Sequence, residues 1–136
     1  MSSSEGPVPS FKIEVSPGEL LDRISILEIK SERIGDPAKL RNIHHELELY
    51  RGTMHGKIPA GKAMAGLVRD LKAVNEALWT IEDEVRACEA NQDFGERFVE
   101  LARSVYRNND RRASIKREIN VLCGSTIIEE KSYTQY

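Results

Sequence analysis

Residues 62–90 read KAMAGLVRDLKAVNEALWTIEDEVRACEA, and residues 94–122 read FGERFVELARSVYRNNDRRASIKREINVL. In the first stretch the apolar positions are Leu67, Leu71, Val74, Leu78, Ile81, Val85 and Cys88. Their steps alternate between four and three, the spacing of a helix packed along its length against another. The second stretch starts the same pattern with Phe94, Phe98, Leu101 and Val105. It then meets Asn108 and Arg112 before resuming at Ile115, Ile119 and Leu122. Asn91 and Gln92 leave room only for a tight connection. The two helices are therefore expected to run antiparallel, each about 45 Å long at 1.5 Å per residue.

Upstream, Ser16-Pro17-Gly18-Glu19 opens a first helix: Ser16 is a natural N-cap, Pro17 loses no bond at the first helical position, and Glu19 closes a capping box. Leu20, Ile24, Leu27 and Ile34 share its inward line with Ser31, and Gly35 ends it. Asp36-Pro37 starts a second helix by the same logic, with Leu40, Ile43, Leu47 and Tyr50 inward. The glycines and proline of residues 52–61 form the one long loop. Asp93 is expected to cap the fourth helix with Glu96 three residues on, and Gly124 to end it in the left-handed conformation. Residues 11–15 alternate apolar and polar like a short strand. The tail after Gly124 has two readings: Ile127 and Ile128 dock on the bundle, or residues 126–130 pair with 11–15 as a ribbon. The expected fold is an all-α helical bundle: a long antiparallel helical hairpin (62–122) with a shorter helical hairpin (17–52) along one side and a short N-terminal strand. Residues 1–10 read as a flexible leader and 11–136 as a single helical domain.

The chain of 136 residues is 40% apolar and 31% charged, which suits a helical protein with wide wet faces. A formal net charge of −2 gives no overall pull toward nucleic acid or anionic lipid. No apolar run approaches the roughly 20 residues of a membrane span. The first residues lack the basic start and apolar core of a secretory signal. Cys88 and Cys123 both fall on apolar seam positions and read as two reduced core thiols of a cytoplasmic protein.

A polar layer in an apolar seam costs stability unless something satisfies it. With the long hairpin folded about residue 92, Asn108 comes level with Glu76 and Arg112 with Lys72. Asn75 and Trp79 lie within a turn, and Asn109, Asp110 and Lys116 border the same stretch with Tyr106. These residues outline a mid-bundle pocket for a small anionic ligand, gripped by Arg112 in a two-pronged way. The plainer reading is preferred: an Asn at a seam position often fixes register and binds nothing, and Arg112 can lay its stem over apolar surface with its head in water.

Other chemistry is thinner. On the first helix Glu19, Asp22, Arg23, Glu28, Lys30, Glu32 and Arg33 read as solvated surface pairs, although Glu28 and Glu32 are one turn apart. Glu19-x-x-Asp22 is similar to one magnesium motif of the all-α pyrophosphohydrolases, but their Glu-Glu-x-x-Glu partner is missing. His44, His45 and His55 lack metal-ligand spacing, and Arg111, Arg112, Lys116 and Arg117 read as a solvated basic face. Trp79 follows seam residue Leu78 and is expected to pack on helix one or two. Nothing calls for a metal or a cofactor.

The stretches SPGELLDRISILEIKSERI, LWTIEDEVRACE, FVELARSVYRNNDRRASIKREIN and GSTIIEEKSY resemble those of a small bacterial family known as a domain of unknown function. That resemblance, over residues 12–136, implies a bacterial all-α protein and carries no catalytic residues over. Arg23 and Lys30 on the first helix are loosely similar to helical chorismate mutases, at the level of analogy. The expected function is a non-enzymatic interaction module built on helices of coiled-coil type, either a homo-oligomer or an adaptor for a protein partner. The alternative is a small enzyme or binding protein for an anionic metabolite. In it Arg112 and Lys116 hold the anion, Asn75, Asn108 and Asn109 orient it, and Glu76 or Asp110 acts as acid or base.

Overall fold

The computed structural model describes residues 6, 7 and 9–136, so most of the expected leader lies outside the described residues. Four helices follow in order: α1 (Pro17–Arg33), α2 (Pro37–Met54), α3 (Lys62–Ala90) and α4 (Glu96–Cys123). The protein is all-α. Among the described residues there is no strand. Residues 11–15 carry no regular secondary structure, and the tail forms no ribbon with them. Alternation alone does not make a strand without an edge to bond to. Among the described residues no helix is long and apolar enough to cross a membrane.

Helix ends follow local chemistry. Ser16 Oγ accepts from Glu19 N at 3.1 Å and Asp36 Oδ2 from Lys39 N at 3.0 Å, each just before a proline at the start of its helix. α2 continues through Gly52 to Met54, three residues into the expected loop, because Met54 packs against both core clusters. The start of α4 also differs. Asp93 does not cap it: Asp93 N donates to Cys88 O at 2.8 Å and Gln92 N to Glu89 O at 3.1 Å. This is a Schellman closure of α3 around Gln92, whose φ of 52° is left-handed. α4 therefore begins after Gly95, without a side-chain cap. At its far end Gly124 takes the expected left-handed conformation, with φ 69°.

α3 and α4 form the long hairpin. α1 lies against both of them, and α2 packs on α1. α1 therefore buries two faces. Ile24 and Leu27 meet Ile43 and Leu47 of α2, with Leu20, Ile34, Leu40 and Tyr50 half-buried around them. On the other face Leu21 joins Leu71, Val74, Leu78, Ile115 and Ile119 of the hairpin. Away from Asn108 and Arg112 the hairpin seams are buried or half-buried as expected, except at the two ends of the α4 seam: Phe94 is exposed, and Leu122 is exposed while Cys123 turns toward the core instead. The exchange of Leu122 for Cys123 is the drift of a 3.6-residue helix against a 3.5-residue repeat.

Candidate functional site

The interruption in the α4 seam is met from α1. Asp22, 1% exposed, sits where α1 crosses α4. Arg112 closes on it like a fork: Nε donates to Oδ1 at 2.9 Å and Nη2 donates to Oδ2. Asn75 Nδ2, from α3, donates to Asp22 Oδ1 at 2.9 Å and to Ser25 Oγ at 2.7 Å. Ser25 Oγ in turn donates to the Asp22 carbonyl at 2.8 Å. A buried carboxylate is tolerable only with such company. Asp22, Ser25, Asn75 and Arg112 thus tie three helices together by one charge-assisted network.

One turn further along α4, Lys116 Nζ reaches Glu19 Oε1 at 2.8 Å, Asp22 Oδ2 at 4.0 Å and Glu129 Oε2 of the tail at 3.4 Å. Burial alone pushes its ammonium pKa down, but the hydrogen bond to Glu19 and the charges of Asp22, Glu19 and Glu129 leave it raised. Burial pushes the Glu19 carboxyl up, and Lys116 and Arg23 outweigh it and hold the group below its usual range. The Arg112 guanidinium is raised further by Asp22.

At the next turn Asn120 Oδ1 accepts from Gly18 N at 2.7 Å. A Cβ at Gly18 would lie 2.5 Å from the Lys116 carbonyl oxygen and 2.9 Å from Asn120 Oδ1. α1 and α4 therefore touch backbone to backbone here. Among the described residues, every buried side-chain nitrogen and oxygen atom has a hydrogen-bond partner.

The eight residues singled out in the sequence divide. Asn75, Trp79, Asn109 and Arg112 line one groove of about 390 Å³ between α1, α3 and α4, with Ile26 and Ile29 among its walls. Asn109 Oδ1 lies 3.5 Å from Arg112 Nη1. Lys116 stands outside this groove, beside the tail. Asn108 turns back on its own helix and donates to the Ser104 carbonyl at 2.9 Å. Asp110 is exposed and accepts from Tyr136 Oη. Glu76 does not line the groove. Arg112 pairs with α1 and not with the level of Lys72, which instead binds Glu32 at 2.7 Å and Glu28 at 3.8 Å. Glu28 also takes Arg51 of α2 at 2.8 Å. The two carboxylates one turn apart on α1 are therefore held by cations from α2 and α3.

The residues that the sequence reading passed over are Gly18, Ser25 and Asn120, together with Asp22 as a buried group. A signal existed. Gly18, Asp22, Ser25 and Ile29 step by four, three and four, a second seam on α1 made mostly of small and polar residues. The alternating charges around Asp22 hid it.

An all-α protein whose central helix is locked to a long hairpin by a buried acid–arginine network is the class that fold and site define. The chain belongs to the family of unknown function DUF6165, whose model matches residues 11–136. No curated protein matches the chain, and no solved structure does.

Proposed function

We propose that this chain is a non-enzymatic helical interaction module that works as a homo-oligomer in the bacterial cytoplasm. The observation that carries this reading is uncovered apolar surface on the hairpin. α1 has 17 residues against the 29 of α3 and 28 of α4. It crosses the half of the hairpin away from the connection. Near the connection Phe94 and Val99 are 54% and 50% exposed, and at the other end Val121 is 68% exposed. Apolar surface of this kind is usually buried by another chain. The buried network supports the same reading, because its charges are taken up inside the chain and its geometry suits a device that fixes register. Cys88 and Cys123 are unpaired and sit near opposite ends of the hairpin, in keeping with a reducing compartment. Native mass spectrometry of the full chain tests the proposal. A dimer or larger assembly with no extra mass is expected, and a monomer at all concentrations overturns it.

The Trp79 groove favours a second reading, a site for a small anionic metabolite held by Arg112 and oriented by Asn75 and Asn109. Trp79 is the chain's one tryptophan, so its fluorescence reports on this groove alone. Titration with phosphate and with citrate at low salt should shift the emission. An unchanged spectrum at millimolar concentrations of both sinks this reading.

A further inference from the structure

Two apolar features of the described residues lie without a cover inside the chain. One is the arm Phe11–Val15 ahead of α1. It has no regular secondary structure, and Phe11 and Ile13 are 84% and 74% exposed. No backbone hydrogen bond joins it to another segment among the described residues. The other is a groove of about 660 Å³ floored by Ala63, Leu67, Val121 and Leu122 and rimmed by Arg117 and Glu118. Val121 and Leu122 are 68% and 46% exposed there.

At 100° per residue, the α4 side of this groove lies opposite the side that carries Lys116 and Asn120. The arm leaves α1 at Ser16, next to Gly18, which touches Lys116 and Asn120. The arm of one chain thus starts on the far side of α4 from its own groove, whereas a second copy can present its arm to that groove directly. One charge is complementary: Lys12 precedes Ile13 on the arm and Glu118 rims the groove, whereas Arg117 at the rim is paired with Glu130 at 3.4 Å. The match to the family begins at Phe11, so the arm belongs to the matched sequence and residues 1–10 do not.

We infer that two copies exchange arms, each seating Phe11 and Ile13 in the other's groove between the start of α3 and the end of α4. This rests on the self-association proposed above and names the surfaces that make it. A buried Phe and Ile remove on the order of 300 Å² per arm. Counting both arms and both grooves, the interface is about 1,200 Å², the lower end of stable protein interfaces. Dissociation on dilution to low micromolar concentration is therefore expected.

The test uses the full chain. Sedimentation velocity is run over a concentration series for the unchanged protein and for the double variant Phe11→Ser/Ile13→Ser, with helix content followed by circular dichroism. The unchanged protein should be dimeric. The variant should keep its helix content and weaken dimerisation at least tenfold. A dimer that survives in the variant overturns the arm exchange and leaves self-association standing, whereas a monomeric unchanged protein overturns both. Cross-linking then separates a second copy from a folded-back arm. Ile13→Cys protein is mixed with Val121→Cys protein, both carrying Cys123→Ser. A mixed disulfide of twice the chain mass supports exchange. Its absence overturns exchange, and an internal disulfide in a chain that carries both cysteines then assigns the groove to the chain's own arm.

Discussion

Asp22 illustrates how one residue decides the reading of many others. Viewed along α1 it is one charge among seven. In the fold it is the buried centre to which Arg112, Asn75 and, more distantly, Lys116 are aligned. Removing one member of a buried ion pair leaves the other uncompensated, typically at about 3–5 kcal/mol. Asp22→Ala should therefore lose about that much stability in urea unfolding, and Asp22→Leu with Arg112→Leu should lose clearly less than either single change. Asn108 behaves differently. Its amide returns to its own helix, so Asn108→Leu should fall within about 0.5 kcal/mol of the parent. Both seam polars were legible in the sequence, but the partner of Arg112 was not. Periodicity shows that a residue faces inward without saying which helix it meets, and the level arithmetic of a hairpin leaves out a third helix. Gly18→Ala completes the set. With the Lys116 carbonyl 2.5 Å from the new Cβ, the helices must move apart, at a cost of about 1–3 kcal/mol.

Among the elements, the long hairpin was the most legible because heptad spacing runs down both helices, unbroken in α3 and interrupted only by Asn108 and Arg112 in α4. α1 was only half legible. Its face of Leu20, Ile24 and Leu27 has ordinary apolar spacing, and it does meet α2. The opposite face is small and polar, and it passes for a surface. The caps at Ser16 and Asp36 were legible, but the Glu19 carboxylate turns to Arg23 and Lys116 instead of closing the box. A cap was misread at Asp93, because its backbone N–H already belongs to the closure of α3. That closure makes a prediction of its own. Gln92 holds a left-handed conformation that glycine adopts more freely, so Gln92→Gly should stabilise the hairpin by about 1 kcal/mol, read as a higher urea midpoint with unchanged slope.

For the molecule as a whole, the ion pairs around α1 set the response to pH. Glu19 has a folded pKa below its ordinary 4.5. Its contribution to stability is present above that value and is lost as pH falls through the folded pKa. Lys116 has a folded pKa above its ordinary 10.5. Its contribution is present below that value and is lost as pH rises through the folded pKa. Urea midpoints should therefore stay level between these limits and fall on both sides, and Glu19→Gln should flatten the acid limb while leaving the plateau shape intact.

Because α2 packs on α1, while α1 is pinned to α4 through Gly18 and Asp22, the chain has a built-in order of opening. α2 can lift away from the remaining three helices without disturbing the buried carboxylate. Amide protons of α2 should then exchange with solvent through a partial opening of low free energy, and those of α1, α3 and α4 only near the cost of global unfolding. Each such excursion uncovers Ile24 and Leu27 as an apolar stripe beside an intact scaffold. α2 is in this sense a hinged cover, and α1 beneath it carries a surface that the folded protein shows only for a fraction of the time.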